Sequence, residues 1–579
     1  MKLGSDSVAI LGSRPPASRA GAGPGAFQPA RRSLPGTARP GTARPARPRT
    51  APRTAGLGGW FLTAEERGNL ATRLDSRHRD GAAWTTGNQV RPLLHGAAYF
   101  AELLAGIRDL RAGDLLLFTD WRGDPDQRLD GPGTEVARVL ADAASRGVIV
   151  RGLLWRSHLD RFRYSLQEHR DLGETIVAAG GECLLDARVR TRGSHHQKLV
   201  VLRHADRAEQ DVAYVGGIDL CHGRRDDHTH GGDEQPCPLG AAYGLRPPWH
   251  DVQIAIHGPA VADVEAVFRE RWEDPTPLTR NPLRRWRDRL LRMIEPPPCP
   301  NPLPDPPPCG TDAVQVLRTY PSRRRGYSFA PAGERSIARA CQKALGRAQR
   351  LVYLEDQYLW CPDVVGVFAE ALAARPGLRL IAVVPQFPVA GPRALRATGS
   401  EVAPQLLARA RSLELLTRLG GDRVGIYDLE NHAGTPVYVH AKVCVIDDTW
   451  ATVGSANLNR RSWTHDSELS CAVLGQAPGG QCLARDLRLA LAREHLDRAE
   501  DDDADLRDPR DAFDAFADSA SRLDAWHAGG QRGPRPPGRL RRHHPTPLPP
   551  STVRWAGPLY QFLFDPDGRP RPLRRDRGF

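Results

Sequence analysis

The spacing of apolar positions divides the chain into two trains of alternating helices and strands, separated by a proline tract. In the first train, Tyr99, Phe100, Leu103, Leu104 and Ile107 recur at the spacing of one helical face. The segment 114–118, apolar from Leu115 to Phe118, then reads as a strand buried on both sides. A helix over 134–144, a strand over 147–155, a further helix and a strand around Cys183 follow, then a strand at 250–256 and a helix over 261–272. The second train repeats the order, with helices over 336–348, 364–374 and 402–419 alternating with strands at 351–355, 378–384 and 424–427. It closes with a strand at 468–474 and a helix over 482–496. The repetition lies in element order more than in residue identity, and it predicts an α/β protein of two tandem domains packed about a pseudo-two-fold. After an acidic stretch at 500–505, Phe513, Phe516, Ala520 and Leu523 share one face of a further helix, and the segment 555–564 is apolar enough to dock.

Composition sets the boundaries. Residues 1–58 are rich in Pro, Arg and Ala and are expected as a disordered tail, as are the Arg/Pro-rich residues 528–579. Between them, the pattern gives a first domain over 59–295, a stiff Pro-rich linker over 296–312 and a second domain over 313–527. The net charge of +13 suggests a nucleic-acid partner until it is divided along the chain. Residues 1–58 carry +9 and residues 528–579 carry +8, which leaves −4 on the folded part. A basic groove is therefore not expected, and nucleic acid is an unlikely partner. Ten cysteines in 579 residues are too sparse for a disulfide framework. No run of eighteen apolar residues is present, and the opening apolar patch is shorter than the roughly 7–15 residues of a secretory signal. A cytoplasmic or peripherally membrane-associated monomer is the expectation.

Candidate chemistry falls at the same place in both trains. His196-Gln197-Lys198 and His440-Ala441-Lys442 each put a His and a Lys two residues apart, on one face of a strand. Each is followed by a small-residue turn, Gly216-Gly217 with Asp219 in the first copy and Gly454-Ser455 with Asn457 in the second. Lys supplies a fixed positive charge, and His can attack or move a proton near neutral pH, a pairing suited to a phosphate. One His-x-Lys alone is an ordinary surface pair; two with matched flanks are a catalytic candidate. The group Cys221, His222, Asp226, His228 and His230 holds ligand-type residues, but its spacing fits no standard zinc pattern.

The second copy, with His440, Lys442, Asp447, Gly454, Ser455 and Asn457, resembles the full His-x-Lys-x4-Asp-x6-Gly-Ser-x-Asn pattern of the phospholipase D superfamily. The first copy resembles the matching half of plant and animal members through HHQK at 195–198, GGIDL at 216–220, Cys221 to Arg224 with Asp226, and Trp249-His250-Asp251. The run Tyr353 to Tyr358 resembles a motif that opens their second half, and the likeness covers roughly residues 88–500. One departure is Arg203 where the first motif expects Asp, with about six residues inserted; Asp206, Glu209 or Asp211 are candidate replacements.

The resemblance implies a phospholipase D that cleaves the distal phosphodiester of a glycerophospholipid at a membrane surface through a covalent phosphohistidine, with no metal or other cofactor. It implies catalytic roles for His196, Lys198, His440, Lys442 and Asp447, carboxylate partners Asp251 and Glu468 for the histidines, and phosphate contacts at Ser455, Asn457, Gly217 and Asp219. By the family's pattern His196 is the nucleophile and His440 the acid/base; sequence alone admits the reverse. The alternatives are a cardiolipin synthase-like phosphatidyltransferase, a nuclease, or a catalytically silent lipid-binding protein.

Overall fold

The computed structural model describes residues 56–78, 81–157, 166–279, 298–387, 403–475, 482–545, 560–575 and 578–579, with isolated stretches at 282–283, 286 and 556–557. Residues 1–55, most of the expected N-terminal tail, lie outside the described residues.

Each train folds into a sheet built on seven core strands in the same order, with further short pairings at the edges of the second. The first uses β1 (Thr85–Leu94), β2 (Leu115–Asp120), β3 (Ile149–Trp155), β4 (Glu182–Asp186), β5 (Leu199–Arg203), β6 (Val212–Gly216) and β8 (Val252–His257). Their order across the sheet is β1–β8–β6–β5–β2–β3–β4, with β2, β3 and β4 parallel and the other neighbours antiparallel. The second uses β9 (Asp312–Tyr320), β11 (Leu351–Asp356), β12 (Arg379–Val383), β13 (Val424–Glu430), β15 (Lys442–Ile446), β16 (Trp450–Gly454) and β17 (Glu468–Gly475). Their order is β9–β17–β16–β15–β11–β12–β13, again parallel only over β11, β12 and β13.

These strands are apolar runs because both faces are covered. All six residues of β2 are buried, as are all six of β11. Helices His95–Asp109, Val136–Ser145 and Leu166–Ala178 cover the outer face of the first sheet, with Phe100, Leu104 and Leu140 in that cluster. Helices Ser336–Leu345, Pro362–Ala374 and Ala403–Gly420 cover the outer face of the second. A central layer joins the inner faces of both sheets, with Val201, Ile254, Val443 and Val453 packed on Val264, Phe268, Leu487 and Leu491 of helices Ala260–Trp272 and Leu483–Leu496. The amphipathic helix expected after the acidic stretch forms over Pro509–Ala528, capped by Asp508 with Pro509 in its first turn, and it buries Phe513, Phe516 and Leu523.

Three boundaries differ from the expectation. The segment that opens the expected first domain packs on the second lobe: the Gln315 amide binds the backbone of Leu62 and Ala83, and Arg67 donates to the Val316 carbonyl. Strand β1 then pairs with both β8 and β9. The Pro-rich linker is irregular over 298–311, as expected, but it is tied down where the Pro300 and Pro304 carbonyls accept from Arg269 and Arg203. The expected C-terminal tail contains ordered structure. Strand β18 (Leu540–Arg542) pairs antiparallel with β13, Tyr560 packs with Trp360, and Phe579 is buried against Trp463. Several of its described arginines are engaged by carboxylates, as with Arg541 on Asp524 and Glu430 and Arg539 on Asp497, so part of the basic composition here marks ion pairing. Among the described residues, no helix is long and apolar enough to cross a membrane.

Candidate active site

The two His-x-Lys motifs lead into β5 and β15, central strands of their respective sheets. Before each strand begins, the chain crosses to the other lobe. The His196 amide donates to the Ser467 carbonyl (2.9 Å), and the Ser467 amide donates to the Ser194 carbonyl (3.0 Å). In the other half, the His440 amide donates to the His250 carbonyl (2.8 Å), and the Tyr438 amide donates to the Pro248 carbonyl (2.9 Å). There β7 (Trp249–His250) runs parallel to β14 (Pro436–Val439). The exchange is reciprocal, as a pseudo-two-fold requires.

This crossing brings each histidine to a carboxylate of the opposite lobe. His196 Nδ1 donates to Glu468 Oε2 at 2.9 Å, and His440 Nδ1 donates to Asp251 Oδ2 at 2.6 Å. Asp251 and Glu468, the carboxylate partners that the resemblance implies, are each supplied from one half to the histidine of the other. With Nδ1 engaged, the Nε2 lone pair is left for chemistry. Neither Nε2 has a hydrogen-bond partner among the described residues.

The lysines lie beside these pairs. Lys198 Nζ is 3.3 Å from Asp219 Oδ1 and donates to the His196 carbonyl at 3.1 Å. Lys442 Nζ donates to the His440 carbonyl and, at 3.4 Å, to Gln357 Oε1. Burial pulls Lys442 down to about 8 against the attraction of Asp251, and the like charge of Lys198 adds to the effect. Burial and then the adjacent ammonium hold each imidazole well below its usual value, Lys198 for His196 and Lys442 for His440. Lys442 also acts on His196, so the charges of both half-sites share one region. Burial and the neighbouring Asp466 push Glu468 up to about 8. Asp251 instead is held low, because His440 and Lys442 outweigh its burial.

The small-residue turns sit under the carboxylates. Ser455 Oγ donates to Glu468 Oε2 at 2.6 Å. Gly217 holds the matching place in the first half, where an added Cβ would lie 2.1 Å from Asp251 Oδ1. Asp219 accepts from the backbone amides of Trp121 and Arg122 and faces Lys198. Asn457 is buried, and its Oδ1 has no hydrogen-bond partner. Aromatic groups flank the rings: Trp121 is 6.0 Å from His196 and Trp249 is 4.8 Å from His440, centre to centre. Arg224 stacks 3.8 Å above Trp249.

Asp447 is not gathered with the others. Its carboxylate accepts the backbone amides of Gln349, Arg350 and Leu351, where it caps the start of β11. Its counterpart Arg203 is likewise remote from the pocket and is bound by Asp211, one of the expected replacements, together with Glu265. The sequence reading missed Asp120 and Asp356, buried at the ends of β2 and β11, although their matched positions in the two trains carried the signal. It also missed Gln197, whose amide donates to the Glu468 carbonyl, and Tyr438, whose hydroxyl accepts from Gln357. Of the group around Cys221, His230 alone joins a buried cluster of metal-ligand type, with His95, His250 and Glu494. Asp226 instead accepts the backbone amides of Trp249, Gly232 and Asp227.

Residues 179–283 match the family model described as phospholipase D, and residues 345–478 match that described as cardiolipin synthase, PLD-like domain. The chain is 28% identical over 420 residues to phospholipase D alpha 1 of Zea mays, covering 55% of this chain and 51% of that protein. It is 24% identical over 506 residues to phospholipase D alpha 1 of Cynara cardunculus, covering 65% and 60%. The chain thus matches about half to three fifths of the length of these relatives. A solved phosphatidylserine synthase of Haemophilus influenzae Rd KW20 aligns at 14% identity and a TM-score of 0.47, over 76% of this chain and 94% of that one. One family model falls on each repeat, and each spans one of the paired motifs, so both repeats match models of the phospholipase D superfamily.

Proposed function

We propose that the chain is a phospholipase D, cleaving the distal phosphodiester of a glycerophospholipid to phosphatidate and the free head-group alcohol. The observation that carries this reading is the crossed pair of imidazoles, each held by the other lobe's carboxylate beside two buried lysines. A phosphodiester is anionic, so its cleavage needs positive charge on the non-bridging oxygens, a nucleophile and an acid for the leaving oxygen. Lys198 and Lys442 supply the charge, and Asn457 adds a hydrogen-bonding amide. His196 Nε2 attacks phosphorus, and the bond from phosphorus to the head-group oxygen breaks. That oxygen takes the Nε2 proton of His440, which enters this step as the imidazolium, with Nδ1–H on Asp251 and the anionic phosphate offsetting the Lys442 charge. Water then gives a proton back to His440 and attacks the phosphohistidine, which releases phosphatidate and restores His196. Such proton transfer contributes roughly 10²–10⁴ in rate. Asp251 and Glu468 orient the two rings.

The covalent intermediate makes the reading testable. Mixed-phospholipid vesicles treated with the purified protein, with and without ethanol, are analysed by mass spectrometry. Phosphatidylethanol appearing at the expense of phosphatidate supports the reading; hydrolysis that ethanol cannot divert rules out the covalent route. The model description on residues 345–478 favours one second reading, a phosphatidyltransferase of the cardiolipin synthase kind. In that case phosphatidylglycerol in the vesicles serves as acceptor and cardiolipin accumulates instead. A silent lipid-binding protein would find support in the altered first motif, but Arg203 there pairs with Asp211 and Glu265 and with none of the paired histidines and lysines. Accordingly, His440→Ala is expected to abolish turnover while leaving vesicle binding unchanged.

A further inference from the structure

Behind Asp251, on the side away from the reaction pocket, three imidazoles and a carboxylate converge. His95, His230 and His250 are 2%, 0% and 0% exposed. His95 Nε2 is 2.7 Å from Glu494 Oε2, His230 Nε2 is 3.2 Å from Glu494 Oε1, and His250 Nδ1 is 3.5 Å from the same oxygen. One ligand atom from each of the four residues lies within 4.8 Å of all the others. His95 and His230 both hold left-handed backbone, at φ 65° and 54°, a conformation that costs energy in a residue with a side chain.

The outer hydrogen bonds decide which ring nitrogens face inward bare. His250 Nε2 donates to Glu355 Oε2 at 2.7 Å, and His230 Nδ1 donates to the Trp249 carbonyl at 3.3 Å. In their neutral forms both rings therefore turn a lone pair toward Glu494. His250 Nδ1 is buried with no hydrogen-bond partner. Lone pairs facing a carboxylate repel it unless two further protons, or one divalent cation, stand between. The pattern of inward nitrogens with outer N–H groups on a carboxylate and a backbone carbonyl is that of metal-bound histidine.

We propose that His95, His230, His250 and Glu494 bind one zinc-class divalent ion in a closed, four-ligand site that joins the two repeats. Three imidazoles and one carboxylate suit zinc, with bonds of about 2.0–2.1 Å. Tetrahedral placement at that length sets ligand atoms about 3.3 Å apart and ring centres about 5 Å apart. The ring centres here are 4.9, 5.1 and 5.7 Å apart. Three ligands come from the first repeat and Glu494 from helix Leu483–Leu496 of the second. With all four positions filled by protein, the ion is structural. It fixes His250, whose carbonyl accepts the His440 amide and whose neighbour Asp251 holds the His440 ring.

The test is metal analysis of the full chain, purified from zinc-supplemented cells. About one zinc per chain is expected by plasma mass spectrometry, falling several-fold in Glu494→Gln. Stripping the wild-type protein with a chelator lowers its melting temperature, and zinc restores it. Reloading the stripped protein with cobalt gives the visible bands of a tetrahedral nitrogen–oxygen site. Wild-type protein that lacks zinc and is not stabilised by it overturns the proposal and leaves an imidazolium–carboxylate network. Zinc retained in Glu494→Gln also overturns it, because the ion is then held elsewhere. If that variant fails to fold, the stripping and cobalt measurements on the wild-type chain decide.

Discussion

Asp251 and Glu468 do the same work for opposite histidines but differ in charge. Asp251 is held ionised by His440 and Lys442, whereas burial and Asp466 lift Glu468 to about 8. Asp251→Asn keeps the shape but favours the wrong tautomer of His440, so kcat should fall by roughly 10²–10⁴ with little change in substrate binding. Glu468→Gln should show a stability effect as well. Between its ordinary value of 4.5 and about 8, the folded chain keeps a proton on Glu468 that the unfolded chain has released. Wild-type stability is therefore lost as pH rises through that window, and the Gln variant lacks this loss. Denaturant midpoints measured from pH 5 to 8 should show the variant gaining on the wild type as pH rises. Lys442 titrates near 8 from the charged side, so kcat/KM should decline as pH rises through that value. Lys442→Arg, whose charge persists, should move the decline upward; an unmoved limb would assign it to another group.

At the scale of elements, the site depends on two parallel strand contacts that carry each His-x-Lys motif to the far lobe. Gly217 permits one of them, because any side chain there meets the Asp251 carboxylate. Gly217→Ala should cost about 10–100-fold in kcat with the fold intact by circular dichroism, since a misplacement near 1 Å is enough. The duplicated strand order was legible in the sequence because strands buried on both faces leave long apolar runs. The crossed pairing was not, because His440 and Asp251 are 189 residues apart and His196 and Glu468 are 272 apart, distances that no local periodicity encodes. Spacing also grouped Asp447 with the catalytic residues, although its carboxylate caps a strand. Composition misread the C-terminal segment, where Arg and Pro suggested disorder but Leu540, Tyr560 and Phe579 are anchored on the second lobe. The buried histidine cluster escaped because its members lie far apart in the chain, and only His230 stood in a conspicuous local group.

In the whole molecule, the repeats are joined by buried charge as well as by apolar packing. Arg318 of β9 lies between Glu270 of the first lobe and Glu334 of the second, at 2.5 and 2.6 Å, and Arg67 adds a second cation on Glu334 at 3.0 Å. Removing one member of such a group strands the rest without partners. Arg318→Met should destabilise by about 3–5 kcal/mol, read as a lower denaturation midpoint, even though it touches no reacting atom. The reciprocal lending of carboxylates between repeats has a genetic consequence. A chain altered at His196 and another altered at His440 each keep one intact imidazole–carboxylate pair, yet neither holds a complete set. Mixing the two proteins should restore nothing unless whole repeats are traded between molecules. A duplication wired in this way ties the fates of its copies, since damage inherited by one is felt at the histidine of the other.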